Sequence, residues 1–214
     1  MKRIIIKIYE WARRRLMRLK RRFVAPQLPV NPEGKIYVNV GCGDSSGKEF
    51  INVDVLPYPN IHHIHDIADL SMFADNSVDL IYASHVVEHI PRESFNSTIK
   101  EWQRALKPGG ILRISVPDFD KLIAVYEGNE RDILTVRDQV LGQKPPYDNH
   151  YTLWNFAHAQ KTFSDLGFAE IRRWDSATAN HHDFKDRSSR QLNSGGKEIA
   201  ISLNVEAVKA GASR

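Results

Sequence analysis

The sequence predicts a doubly wound α/β domain, and three observations carry that prediction. Short apolar runs rich in β-branched residues alternate with stretches of helical periodicity. The first run, Tyr37-Val38-Asn39-Val40, ends in the turn Gly41-Cys42-Gly43-Asp44, and the next, Ile51-Asn52-Val53, ends in the carboxylate of Asp54. The last two runs have no helical pattern between them, so they pair antiparallel.

Residues 1–23 precede the domain and read as a helix. Ile5, Ile8, Tyr9, Ala12, Leu16, Leu19 and Phe23 follow the three-and-four spacing of one apolar face. The segment carries ten Lys and Arg against one acid, Glu10, or +9. The remainder carries 20 basic against 25 acidic residues, or −5, so the net +4 belongs to the tail. A mildly acidic core argues against a catalytic domain that grips nucleic acid. A basic amphipathic helix suits an anionic membrane surface, where each basic residue contributes about 1 kcal/mol. The longest apolar run there is Ile4-Ile5-Ile6, too short for a membrane span or a signal-peptide core. Pro26, Pro29 and Pro32 then make a stiff linker. The expected organisation is a helix over 1–24, a linker over 25–34 and a domain over 35–214. The single cysteine, Cys42, makes no internal disulfide and fits a reducing, cytoplasmic compartment.

Strands are predicted at 36–40, 50–54, 61–65, 78–83, 111–116, 168–174 and 199–207. Helices are predicted at 93–106 after Pro91, at 118–127 with Asp118 or Asp120 as cap, and at 157–166 before Gly167. Residues 128–156 read as a long irregular stretch. Only about nine residues, 41–49, join the first two strands. A parallel crossover usually takes a dozen or more, so the first helix is a single turn or absent.

The Gly-x-Gly turn followed by a carboxylate describes a nucleoside site at the carboxyl edge of a parallel sheet. Glycine lets the backbone approach a ligand, and a carboxylate accepts from two ribose hydroxyls. A dinucleotide fingerprint asks for a third glycine where this chain has Ser46, and for an acid further along than Asp54. Both departures weaken an NAD reading, as does the lack of the Tyr-x-x-x-Lys pair of short-chain dehydrogenases.

More motifs follow: Ile64-His65-Asp66-Ile67, then Ile81-Tyr82-Ala83-Ser84-His85-Val86-Val87-Glu88-His89-Ile90, then Leu106-Lys107-Pro108-Gly109-Gly110 leading into Ile111-Leu112-Arg113-Ile114-Ser115-Val116-Pro117-Asp118. In this order they resemble class I S-adenosylmethionine-dependent methyltransferases, particularly the type 11 branch, from about Lys35 to Glu206. The resemblance implies a Rossmann-like seven-stranded sheet with an antiparallel last strand, and S-adenosyl-L-methionine as cofactor. By the family pattern Gly41 and Gly43 pass close to the ligand and Asp54 holds the ribose diol. Asp66 accepts from the adenine amino group, with the Ile67 amide facing the ring. Asn39 lies near the amino-acid end, where relatives often have an acid. Cys42, as a small filler of the turn, and Val55 and Ser84 complete the expected cofactor contacts. The shortened first crossover is similar to that of some sugar-associated members. The basic helix and the resemblance to members that accompany glycan assembly imply a sugar hydroxyl of a lipid-linked or surface glycan precursor as acceptor, with a small-molecule acceptor as the alternative.

Methyl transfer to oxygen benefits from a general base. Residues 84–89 and Asp118 arrive at the sheet's carboxyl edge, and the segment 128–156 with Tyr147, Asp148, His150 and Tyr151 lies over it. His150 is the expected base, with His85, His89 and Asp118 as competitors. His62, His63 and His65, and the run His181-His182-Asp183, lack the spacing of a metal set, so no metal centre is expected. Two rivals stand beside this reading: an NAD-dependent sugar-modifying oxidoreductase and a non-catalytic nucleoside-binding adaptor at membranes.

Overall fold

The computed structural model describes residues 26–143 and 148–211, together with 15, 16, 19 and 24. Most strand residues near the switch of the sheet are buried, which suits parallel strands covered on both faces. The main elements are β1 (Tyr37–Val40), β2 (Phe50–Asp54), β3 (His63–Ile64), β4 (Val78–Ser84), α1 (Arg92–Ala105), β5 (Leu106–Pro117), α2 (Phe119–Gly128), α3 (Arg137–Leu141), α4 (Phe156–Asp165), β6 (Phe168–Arg173), β7 (Gln191–Ser194), β8 (Lys197–Ala200) and β9 (Ser202–Lys209). Seven strands form one sheet in the order β3-β2-β1-β4-β5-β9-β6. The first five pair in parallel, and β9 runs antiparallel to both β5 and β6. The reversed strand therefore sits one place in from the edge. The order changes direction between β1 and β4, which makes the carboxyl edge there a ligand crevice.

Strand alternation sorts side chains to two unlike faces. Val38, Ile51, Ile81 and Leu112 join the larger core with Ile99 and Trp102 of α1 and Phe163 of α4. Trp102 buries its ring fully and donates Nε1–H to the carbonyl of Ile67 at 2.7 Å. Tyr37, Phe50, Leu80 and Tyr82 point to the other face and pack with Trp174. No helix lies between β1 and β2. Phe184, from the irregular segment after β6, fills part of that place, its ring centroid 5.7 Å from those of both Phe50 and Tyr82.

Three strands are tied by one carboxylate. Glu206 of β9 stands opposite Arg113 of β5 and Arg172 of β6. Arg113 Nε donates to Oε1 at 2.8 Å, and Arg172 Nε donates to Oε2 at 3.0 Å.

Several elements differ from expectation. The strand predicted at 61–65 shortens to β3, and the one at 111–116 lengthens because Leu106 already pairs with Val78. The single strand expected at 199–207 is two. Residues 197–200 turn back on β7 through Gly195 and Gly196, both at positive φ, before the chain breaks at Ile201. The break is held by hydrogen bonds: Ile201 donates to Arg190, its carbonyl accepts from Asp118, and its side chain is buried beside Leu122 and Val125. The irregular stretch 128–156 contains α3 and a short 3-10 turn, Ile133–Thr135. The helix expected over 1–24 lies outside the described residues except for Arg15, Leu16, Leu19 and Val24. Leu16 and Leu19 are helical and 66% and 51% exposed. No helix among the described residues is long and apolar enough to cross a membrane.

Glu206→Ala leaves Arg113 buried without a counter-charge, so we expect a loss of about 3–5 kcal/mol in urea unfolding. Arg172 is 48% exposed, and Arg172→Ala should cost no more than about 1 kcal/mol. Equal losses would contradict the assignment.

Candidate active site

The bend after β1 is locked from two sides. Gly41 donates its N–H to Val53 at 2.8 Å, and Gly43 donates to Asp54 Oδ2 at 2.9 Å. Both glycines have positive φ, +62° and +57°. A Cβ on Gly41 would stand 2.6 Å from a Val86 methyl, so this glycine is needed for packing. A Cβ on Gly43 would meet nothing within 4 Å. Gly43 therefore borders open space, where a ligand can lie against the backbone.

Asp54 is buried at the end of β2, with Oδ1 accepting from Leu56 N–H at 2.7 Å. Each carboxylate oxygen keeps acceptor capacity beyond its one amide. Burial pushes its carboxyl above the ordinary range, against the weaker pull of the two amides. Asn39 is buried under the loop, its Nδ2 3.4 Å from the Ser45 carbonyl, and its Oδ1 has no hydrogen-bond partner. That orphaned acceptor, the space at Gly43 and the carboxylate beside it fit the ammonium, backbone approach and diol of S-adenosylmethionine. Burial, and then the charge of Asp54, raise the Cys42 thiol far out of the reactive range, which agrees with a filler and not a nucleophile.

The remaining expected cofactor contacts are more dispersed. Val55 follows Asp54 and is half-buried. Asp66 is exposed and accepts from Ala68 N–H at 2.9 Å, a local turn contact. Ile67 packs partly against the larger core. Ser84 ends β4 opposite Ser115, and neither hydroxyl has a hydrogen-bond partner.

Beyond Ser84 the chain makes a sharp turn. His85 takes φ +53°, and its N–H donates to Ser115 at 2.7 Å. Its ring is buried, with Nε2 near the Arg187 carbonyl and Ser202 Oγ and Nδ1 3.3 Å from Glu88 Oε1. A 3-10 turn, Val87–His89, then holds Glu88 fully buried. Residues 148–154 close over this turn, where Tyr151 N–H donates to the Glu88 carbonyl at 2.8 Å. His89 and His150 come together with ring centroids 4.8 Å apart. Their Nδ1 atoms face the Asn149 and Gln139 carbonyls at 3.1 and 2.8 Å, which assigns the ring N–H there and leaves each Nε2 with its lone pair. Burial holds His150 below the ordinary imidazole range, with Glu88 pulling the other way. Burial also opposes charge on Glu88, but His85 and His89 outweigh it and keep that carboxyl below its usual value.

The structure thus unites His89 and His150 with Glu88, and places His85 behind Glu88. Asp118 stands apart from this group: it caps α2 by accepting from Asp120 N–H at 3.2 Å and lies 3.9 Å from Arg173. Glu88 is the member that the motif reading set aside, although its Glu-His dipeptide was visible. Gln139, which orients His150 through a backbone carbonyl, has no signal in the sequence. Other histidines have structural partners: His62 Nδ1 accepts from Asn52 N–H at 2.9 Å, His181 lies 3.1 Å from the Tyr37 hydroxyl, and His182 lies 3.1 Å from Ser188 Oγ.

Comparison with known proteins finds one domain family and several similar folds. A family model described as a methyltransferase domain matches residues 46–114. No curated protein matches the chain. A SAM-dependent methyltransferase from Methanosarcina mazei is similar in structure, at 15% identity and a TM-score of 0.50, over 87% of this chain and 95% of that one. The 1,6-didemethyltoxoflavin-N1-methyltransferase of Burkholderia thailandensis, solved with 1,6-didemethyltoxoflavin and S-adenosylhomocysteine, is 12% identical with a TM-score of 0.50, over 96% and 81%. A methyltransferase in complex with the Haloferax volcanii Trm112 activator is 20% identical with a TM-score of 0.49, over 86% of each chain. At these identities the two likenesses with a TM-score of 0.50 establish the fold alone. The family model, over residues 46–114, spans less than half of the chain.

Proposed function

We propose that this chain transfers a methyl group from S-adenosylmethionine to an oxygen of a hydroxylated acceptor, a sugar of a glycan precursor, at an anionic membrane surface. The observation that carries the reading is the Gly43–Asp54 contact beside open space at the switch of the sheet. When bound, the cofactor supplies a methyl carbon already activated by its sulfonium. Asp54 accepts from the ribose hydroxyls, and Asn39 Oδ1 accepts from the ammonium end. Val86, packed on Gly41, links the bend to the turn that bears Glu88 and His89. The acceptor hydroxyl lies against the His89 and His150 Nε2 lone pairs, either of which can take its proton. Positioning supplies much of the remaining rate. The polar character of Glu88, His89, Asp148 and His150 favours a hydroxylated acceptor over an apolar one. The basic tail favours one presented at a membrane.

Calorimetry of the full chain should detect S-adenosylhomocysteine and no NAD; the reverse result overturns the reading. Asp54→Ala removes two charge-assisted contacts, so affinity should fall roughly 100-fold. Gly43→Ala should weaken binding, because its Cβ enters the ligand's space, and should also lower stability by about 1–2 kcal/mol, because alanine is strained at this positive φ. Since burial raises the Asp54 carboxyl, affinity should decline on acidification beginning above the ordinary aspartate range. Turnover is read as S-adenosylhomocysteine release with sugar nucleotides and lipid-linked sugars. Intact cofactor binding without turnover on any hydroxylated acceptor rejects the acceptor assignment.

The membrane part has its own test. Flotation with anionic vesicles should recover the full chain and not a chain lacking residues 1–23. Equal recovery removes the tail from the proposal.

A further inference from the structure

We infer that Glu88, His89 and His150 form a binding site for a zinc-class divalent cation at the carboxyl edge of β4. One ligand atom from each residue lies within 4.8 Å of the other two, and this is the one such group among the described residues. Three features mark it as more than a chance meeting.

The first is the carboxylate. Glu88 is fully buried, and neither oxygen has a hydrogen-bond partner. Its ion-pair contact, His85 Nδ1 at 3.3 Å, reaches Oε1 only. Oε2 is therefore left buried with no partner, and a cation there would complete the pairing of this charge.

The second is the orientation of the imidazoles. Both direct Nδ1 at backbone carbonyls, those of Asn149 and Gln139. Histidines that ligate metals commonly donate their other N–H in this way, which fixes the ring and frees the second nitrogen. The third is access. The His89 side chain is 17% exposed, and Asp148 Oδ1, 3.6 Å from His89 Nε2, lies at the mouth of the group. An ion can enter from that side, and an open position remains for an acceptor oxygen.

Two imidazoles and one carboxylate form the donor set of a catalytic zinc site with an open position. The same borderline donors also take Co2+ and Fe2+. Tetrahedral metal–nitrogen bonds of about 2.0–2.1 Å set ligand atoms about 3.3 Å apart, so the widest pair must draw in by up to about 1.5 Å, which takes side-chain rotation on loading. The methyltransferase reading bears only on what the ion does, which is to hold and polarise the acceptor hydroxyl in place of a histidine base. Whether the ion binds is independent of that reading.

The test uses the full chain, stripped with a chelator and titrated with Co2+ and with Zn2+. The expected result is one ion per chain, visible as cobalt ligand-field absorption and as a rise in melting temperature with Zn2+. His150→Ala and His89→Gln should each weaken binding by more than tenfold while S-adenosylhomocysteine still binds in calorimetry, which certifies the fold. His181→Ala should leave the affinity unchanged. No cobalt absorption with the parent chain, or binding that survives both His89→Gln and His150→Ala, overturns the site. Failure to bind S-adenosylhomocysteine would instead refute the methyltransferase reading and leave the metal result to stand by itself.

Discussion

The connection between β1 and β2 is too short for a crossover helix, and much of the molecule follows from that constraint. Residues 41–49 must reverse direction within a tight loop. The loop's stability rests on contacts from outside itself: Asp54 accepts from Gly43, and Asn60 Nδ2 donates to the Gly43 carbonyl. The sheet face that a first helix would bury still needs cover. Phe184, Ala179 and His181 supply part of it from the segment after β6. The same shortage places buried polar groups under the loop. Asn52 donates there through Nδ2 to Ser46 Oγ and the Asn60 carbonyl, while its Oδ1, like that of Asn39, has no hydrogen-bond partner. A structural economy in the crossover thus leaves a set of buried acceptors beside the Gly43–Asp54 contact, and the proposed cofactor site rests on them.

The second half of the site depends on a strained turn. His85 sits at positive φ, a conformation unfavourable by about 1–2 kcal/mol for a residue with a Cβ. It is held there by its N–H bond to Ser115 and by ring contacts with Ser202 and Arg187. Such strain persists where surroundings over-determine the backbone, and it is common beside functional groups. Its consequence is that Glu88 is turned into the interior while His89 remains near solvent. Residues 148–154 then bring His150 to the same spot.

Charge is used differently at the two ends of the sheet. The Arg113–Glu206–Arg172 group is fully paired and joins three strands. The Glu88 group at the carboxyl edge is left with unmet bonding capacity. Paired buried charge serves cohesion, while unmet buried polarity marks a place prepared for something else.

Local chemistry by itself determined the strands, the two-glycine bend, Asp54 and the helices near 92–105 and 156–165. Each has a short-range signature: β-branched runs, glycines that tolerate positive φ, or apolar spacing bounded by Pro91 or Gly167. The sequence also announced the missing first helix, because length alone forbids it. It did not reveal the hairpin of β7 and β8, whose break at Ile201 is decided by burial of that side chain against α2. Nor could it choose among the histidines. Their roles turn on which carbonyls meet each Nδ1, and those of Asn149 and Gln139 arrive through the path of an irregular segment. Short-range pattern specifies elements; the meeting of Glu88, His89 and His150 is a property of the folded sheet edge, where only tertiary packing brings distant atoms within bonding range.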